Sequence, residues 1–198
     1  MHRLLVVVLA LLALACAPID APFQVAYLVF PTEAGADVLV QVSGGPAERA
    51  WVGFGVGPGS PAGILDRVHS VEAHDADGQP LAVAALADKG LRVDTGGTDT
   101  WSLSYSLDLR VTTAETVFYR SSVRTDDYLV LVGSDAWARF YPAPEYLAAN
   151  PASRSGGPIE SASVTFHIPE EKPNWRVMTT AATISPTAFR LPEHCLLY

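Results

Sequence analysis

His69 and His74, with Glu72 between them and Asp75 and Asp77 just beyond, are the side chains whose types raise the question of metal or proton chemistry. Two imidazoles share a metal on a helix when they stand four apart, as in His-Glu-x-x-His, because that spacing puts both on one face. No histidine here is followed by glutamate. His69 and His74 stand five apart in a strand-like stretch, a spacing that sends the two side chains to opposite faces, so a shared metal is not expected. The carboxylates do not follow the fixed ligand order of a calcium loop either, and Asp75-Ala76-Asp77-Gly78 reads as a hairpin turn. Asp126-Asp127 reads as a solvated approach to a strand.

Nucleophile chemistry fares no better. A serine elbow needs Gly-x-Ser-x-Gly at a strand-to-helix turn, and neither Gly59-Ser60-Pro61 nor Gly133-Ser134-Asp135 has it. Gly55 to Gly59 is glycine-rich but lacks the lysine and the following helix of a phosphate cradle. No catalytic residue, metal ligand or cofactor site is therefore expected. The remaining functional candidates are aromatic. Trp51, Trp101, Trp137 and Trp175 each lie in or beside an expected strand, and core packing is their ordinary role. Trp137, between Asp135 and Arg139 and ahead of Phe140-Tyr141, is the one whose setting suggests an accessible platform, so Trp137 and Tyr141 form the candidate binding surface.

The elements that must position these residues are short strands. Val25 to Phe30 and Val38 to Val42 read as adjacent antiparallel strands across the turn residues Pro31 and Gly35. Trp51 to Val56, Val68 to His74, Leu81 to Ala84 and Leu91 to Asp94 continue the pattern. Trp101, Leu103, Tyr105, Leu107 and Leu109 fall on one face at period two, so that face is expected to be core. Val117 to Tyr119, Tyr128 to Val132, Ala138 to Tyr141, Ala162 to His167 and Arg176 to Thr180 follow. Only Ala143 to Ala149 has room for a helical turn or two, and Pro151 to Pro158 reads as a surface loop. About ten short antiparallel strands with almost no helix predict an all-β fold, a β-sandwich or a curved two-sheet assembly.

Composition agrees. Hydrophobic residues make up 49% and charged residues 17% of 198, enough apolar surface for a packed core. The net charge of -8, with no basic stripe, excludes a nucleic-acid partner. At the N-terminus, His2 and Arg3 precede an apolar run from Leu4 to Ala15 that is too short to span a bilayer and reads as a signal peptide. Leu12-Ala13-Leu14-Ala15-Cys16 resembles a bacterial lipobox, which would make Cys16 a lipidated N-terminus. Ordinary cleavage after Ala13-x-Ala15 is the alternative, and either route takes the chain out of the cytoplasm to the cell envelope. A lipidated Cys16 leaves Cys195 as the lone thiol, while a Cys16–Cys195 bridge competes if cleavage falls elsewhere. The expected organisation is thus a signal peptide over 1–15, a lipidated cysteine and tether over 16–22, a β domain over 23–191 and a tail over 192–198.

Several segments together resemble the N-terminal domain of the glycyl aminopeptidase family of zinc metallopeptidases, peptidase family 61. They are Tyr27 to Pro31 with Val38 to Val42, Pro58-Gly59-Ser60 with Arg67-Val68, Ala76-Asp77-Gly78-Gln79-Pro80-Leu81, Trp101 to Leu107, Ser122-Val123-Arg124, Gly133 before Phe140, and Asn174-Trp175-Arg176-Val177 with Thr179. Their shared order carries the likeness. The tryptophan and tyrosine that flank the family's Pro-Gly-Ser loop are replaced by Val56 and Pro61. In that family catalysis belongs to a following helical domain with His-Glu-x-x-His, and this chain reaches Tyr198 without one, as a truncated or split gene product or a stand-alone lipoprotein would. The resemblance implies a non-catalytic β module that meets a peptidase catalytic domain or a peptide, and carries no catalytic residue over. An envelope lipoprotein binding a small ligand or carbohydrate is the competing expectation.

Overall fold

The computed structural model describes residues 23–45, 48–54, 67–86, 90–110, 122–124, 128–131, 136–141, 159–179 and 181–191. The expected leader, Cys16, the expected tether, the strand expected over Val117 to Tyr119, Asp126-Asp127, Gly133-Ser134-Asp135, the helical turn expected over Ala143 to Ala149, the loop expected over Pro151 to Pro158, Cys195 and the expected tail lie outside them.

The strands are β1 (Phe23–Pro31), β2 (Gly35–Ser43), β3 (Arg49–Gly53), β4 (Val68–Asp75), β5 (Pro80–Ala85), β6 (Leu91–Asp94), β7 (Thr100–Asp108), β8 (Val123–Arg124), β9 (Leu129–Val130), β10 (Arg139–Tyr141), β11 (Ile159–Phe166), β12 (Ala182–Ser185) and β13 (Ala188–Leu191). Their alternation is what builds the core. Phe23, Val25, Tyr27 and Val29 of β1, Ala36, Val38, Val40 and Val42 of β2, and Trp101, Leu103, Tyr105 and Leu107 of β7 are all buried. Register stacks these sets into rows: Val25–Val42–Trp101, Tyr27–Val40–Leu103 and Val29–Val38–Tyr105. A one-residue slip would turn every one of them to solvent.

The all-β expectation holds, but its finer form needs correcting. Eleven strands form one sheet in the order β10-β3-β6-β5-β4-β7-β2-β1-β11-β13-β12, and β8 and β9 form a separate pair. The sheet is mixed, because β1 and β11 run parallel, with Tyr27 opposite Val164. It is also strongly curled. β10 stands five places from β7 in the hydrogen-bonded order, about 24 Å if the sheet were flat. Yet Phe140 of β10 packs edge-on against Trp101 of β7 at 5.8 Å and against Phe23 of β1 at 6.0 Å. The sheet therefore folds over its own inner face, and the apolar layer lies between its two wings.

The β3–β6 contact is close enough to need a glycine. A Cβ on Gly90, whose φ is 127°, would sit 2.2 Å from the carbonyl oxygen of Val52. At the far edge, β12 and β13 replace the strand expected over Arg176 to Thr180. Residues 175–179 carry no strand, and the Arg176 guanidinium donates instead to the local carbonyls of Pro173 and Trp175.

Candidate functional site

A β-bulge in β4 sets the positions of the two histidines. His69 faces Ser106 of β7 and Glu72 faces Ser104, so three steps along β4 match two along β7. Ser70, inside the bulge, has a φ of 53°, in the left-handed region that glycine favours. The extra residue reverses the alternation. His69, Glu72 and His74 then fall opposite Ser106, Ser104 and Ser102, all on the outer face. The expectation that five-residue spacing sends the histidines to opposite faces is thus overturned, since it assumed an unbroken strand. Ser106 to Ser102 spans four strand residues, about 13 Å, which holds the imidazoles too far apart for one metal. Among the described residues no three His, Cys, Asp or Glu side chains converge on a common point.

The rest of this face is held by local polar bonds. Ser106 donates its hydroxyl hydrogen to Asp37 Oδ1 at 2.7 Å. The Arg110 guanidinium, hydrogen-bonded to Asp108, holds that carboxyl down to about 2. Asp75 Oδ1 accepts the backbone N–H groups of Asp77 at 3.0 Å and Gln79 at 2.8 Å, while Gly78 takes a φ of 79°. That carboxylate is committed to the hairpin turn.

Trp137 is not a platform. It is 5% exposed and packs on Tyr27 with ring centroids 5.1 Å apart. Its neighbours are tied down by two buried phenols. Tyr27 donates to the Ala138 carbonyl at 2.7 Å, and Tyr105 donates to the Ala136 carbonyl at 2.7 Å while accepting the Ala138 N–H at 3.2 Å. Burial pushes both phenols well above their ordinary ionisation range. The polar flanks suggested exposure, but the small residues Ala136 and Ala138 let the segment sink between the wings, and even Arg139 is buried. Tyr141 closes β10 in register with Trp51 of β3, and its side chain lies outside the described structure. Trp51 is half-buried, as Trp175 is, and stands on the outward side of β3, since Ala50 and Val52 on either side of it face the core. The sequence reading gave it a core-packing role, although that alternation was the signal for an outward position.

A concavity on the described surface lies beside the bulge. β4 and β5 pair only through Ala73–Leu81 and His74–Pro80, after which β5 leaves to pair with β6 through Ala82 to Ala85. Between the separating strands is an open groove of about 410 Å³ lined by Val71, Glu72, Ala73, His74, Pro80, Leu81 and Val83. Val71, Leu81 and Val83 are half-buried against the core, and Glu72 is exposed.

No family model matches the chain, and no curated protein matches it. A solved structure does: an aminopeptidase N family protein from Idiomarina loihiensis, with a TM-score of 0.56 at 14% identity. The match covers 87% of this chain and 28% of that one. At this identity the likeness is one of fold, shared with a segment of a much longer protein.

Proposed function

We propose that this protein is a non-catalytic, exported β domain of the kind found at the N-terminus of glycyl aminopeptidase-type metallopeptidases, acting through protein or peptide contacts. The observation that carries the reading is the fold likeness to part of an aminopeptidase N family protein across 87% of the chain. It stands apart from the order of sequence segments that resembles the glycyl aminopeptidase family. In this reading the lipid on Cys16 holds the domain at the envelope, and a peptidase catalytic domain is the partner.

The test is affinity capture from envelope extract with the tagged protein, followed by mass spectrometry and a peptide-hydrolysis assay with added zinc. Co-purification of a zinc peptidase subunit, with hydrolysis that follows the subunit and not this chain, is the expected result. Capture of no peptidase, or hydrolysis by this chain alone, would overturn the reading.

A second reading, an envelope lipoprotein that binds a small ligand, is favoured by one observation. The groove between β4 and β5 has a ligand-sized volume and a mixed lining, in which Val71, Pro80, Leu81 and Val83 stand beside Glu72 and His74.

A further inference from the structure

We propose that the groove between β4 and β5 binds small organic amines that carry a compact apolar group. The proposal rests on the small-ligand reading and adds to it the charge and shape of the ligand. Four of the seven lining residues, Val71, Pro80, Leu81 and Val83, have apolar side chains large enough to form walls. They are accessible because the sheet separates here: after Ala73–Leu81 the two strands no longer pair, and the flank of the core opens between them. An apolar group entering this space exchanges water for the sides of half-buried valines and leucine, which favours binding without further directional contacts.

The lining also has a sign. Glu72 is its carboxylate, His74 its imidazole, and no lysine or arginine is among the described residues that form it. The whole chain carries -8, so the surrounding field favours a cation over an anion. An ammonium group near Glu72 with its apolar body between Val71 and Val83 satisfies both features. An extended peptide strand does not. To add to β4 it would have to pair along Val68 to Glu72, the stretch where the bulge and the left-handed Ser70 break the regular edge. The bulge thus guards the strand edge while leaving the side-chain groove open.

The experiment uses the full chain in mild detergent, labelled with nitrogen-15, and two probes of nearly the same shape: phenethylamine, a cation at neutral pH, and phenethyl alcohol, which is neutral. Saturable shifts of the Ala73, Leu81 and Val83 amides with phenethylamine are expected, with binding about 1.5- to fivefold weaker for the alcohol, the range an exposed ion pair supplies. Glu72→Gln, at an exposed position, should leave the spectrum folded and bring the amine down to the affinity of the alcohol. Equal affinity for the two probes at these amides would overturn the amine assignment while leaving a small-ligand groove in place. No shift at these amides with either probe would overturn both.

Discussion

Tyr105→Phe removes one oxygen atom from the interior, and the structure says what that atom holds. The phenol donates to the Ala136 carbonyl and accepts from the Ala138 N–H. Ala136 and Ala138 are 1% and 0% exposed, so water cannot replace the lost partner. A buried polar group left unmatched costs about 1–3 kcal/mol, and two such groups place the loss near 3 kcal/mol. Tyr27→Phe removes a single bond, to the Ala138 carbonyl, and should cost about 1–2 kcal/mol by the same reasoning. For a domain of this size, 3 kcal/mol corresponds to about 6–12 °C in Tm.

Thermal and urea unfolding of both single variants and the double variant would measure this. Each phenol makes a bond to the Ala138 residue, so the double variant should depart from additivity. Trp137 reports on the same segment. Its fluorescence should be blue-shifted and protected from iodide in the wild type, and more accessible in Tyr105→Phe. A Tyr105→Phe loss no larger than that of Tyr27→Phe, or losses in both below about 0.5 kcal/mol, would refute the reasoning. The segment would then not be latched, and Trp137 would be free to act at the surface.

The same phenols make stability fall at high pH. Both ionise near 10.0 when unfolded and are raised by burial when folded, so above pH 10 the unfolded chain loses protons first and stability declines as pH rises toward the folded values. The slope is about 1.4 kcal/mol per pH unit for each phenol, and urea unfolding across that range should show Tyr27→Phe and Tyr105→Phe each removing one share. At the β4 bulge, Ser70→Val should cost about 1–2 kcal/mol because its branched side chain must also take the left-handed conformation, whereas Ser70→Gly should be neutral or stabilising. Thermal melts of the two variants compare them directly, and equal effects would mean that backbone strain at Ser70 is not the cause.

The core-facing half of this molecule was legible because period two is a local property. Trp101 to Leu109 announced a buried face by alternation alone, and each of its odd positions is buried. The Asp75 to Gly78 turn was legible for the same kind of reason, since its side-chain and φ requirements lie within four residues. The parallel pairing of β1 with β11 was not, because nothing near Phe23 or Ile159 specifies a partner more than a hundred residues away. β12 and β13 were missed because Ala182 to Ser185 is short, half polar and followed by Pro186. It becomes a strand because β13 beside it pairs with β11.

Site residues were harder to read because they depend on where alternation breaks. Trp137 sits between residues that look solvated, yet it is positioned by hydroxyl groups 111 and 31 residues away from the carbonyls they bind. His69 and His74 share a face only because an extra residue is accommodated at Ser70, where no glycine signals a bulge. The groove depends on β5 changing partners after two pairs with β4, a choice made by the curl of the entire sheet. A regular strand uses one face for the core and leaves the other flat. The concavity arises where that regularity is interrupted, so the features that make a binding groove are the ones that erase the pattern by which strands are read.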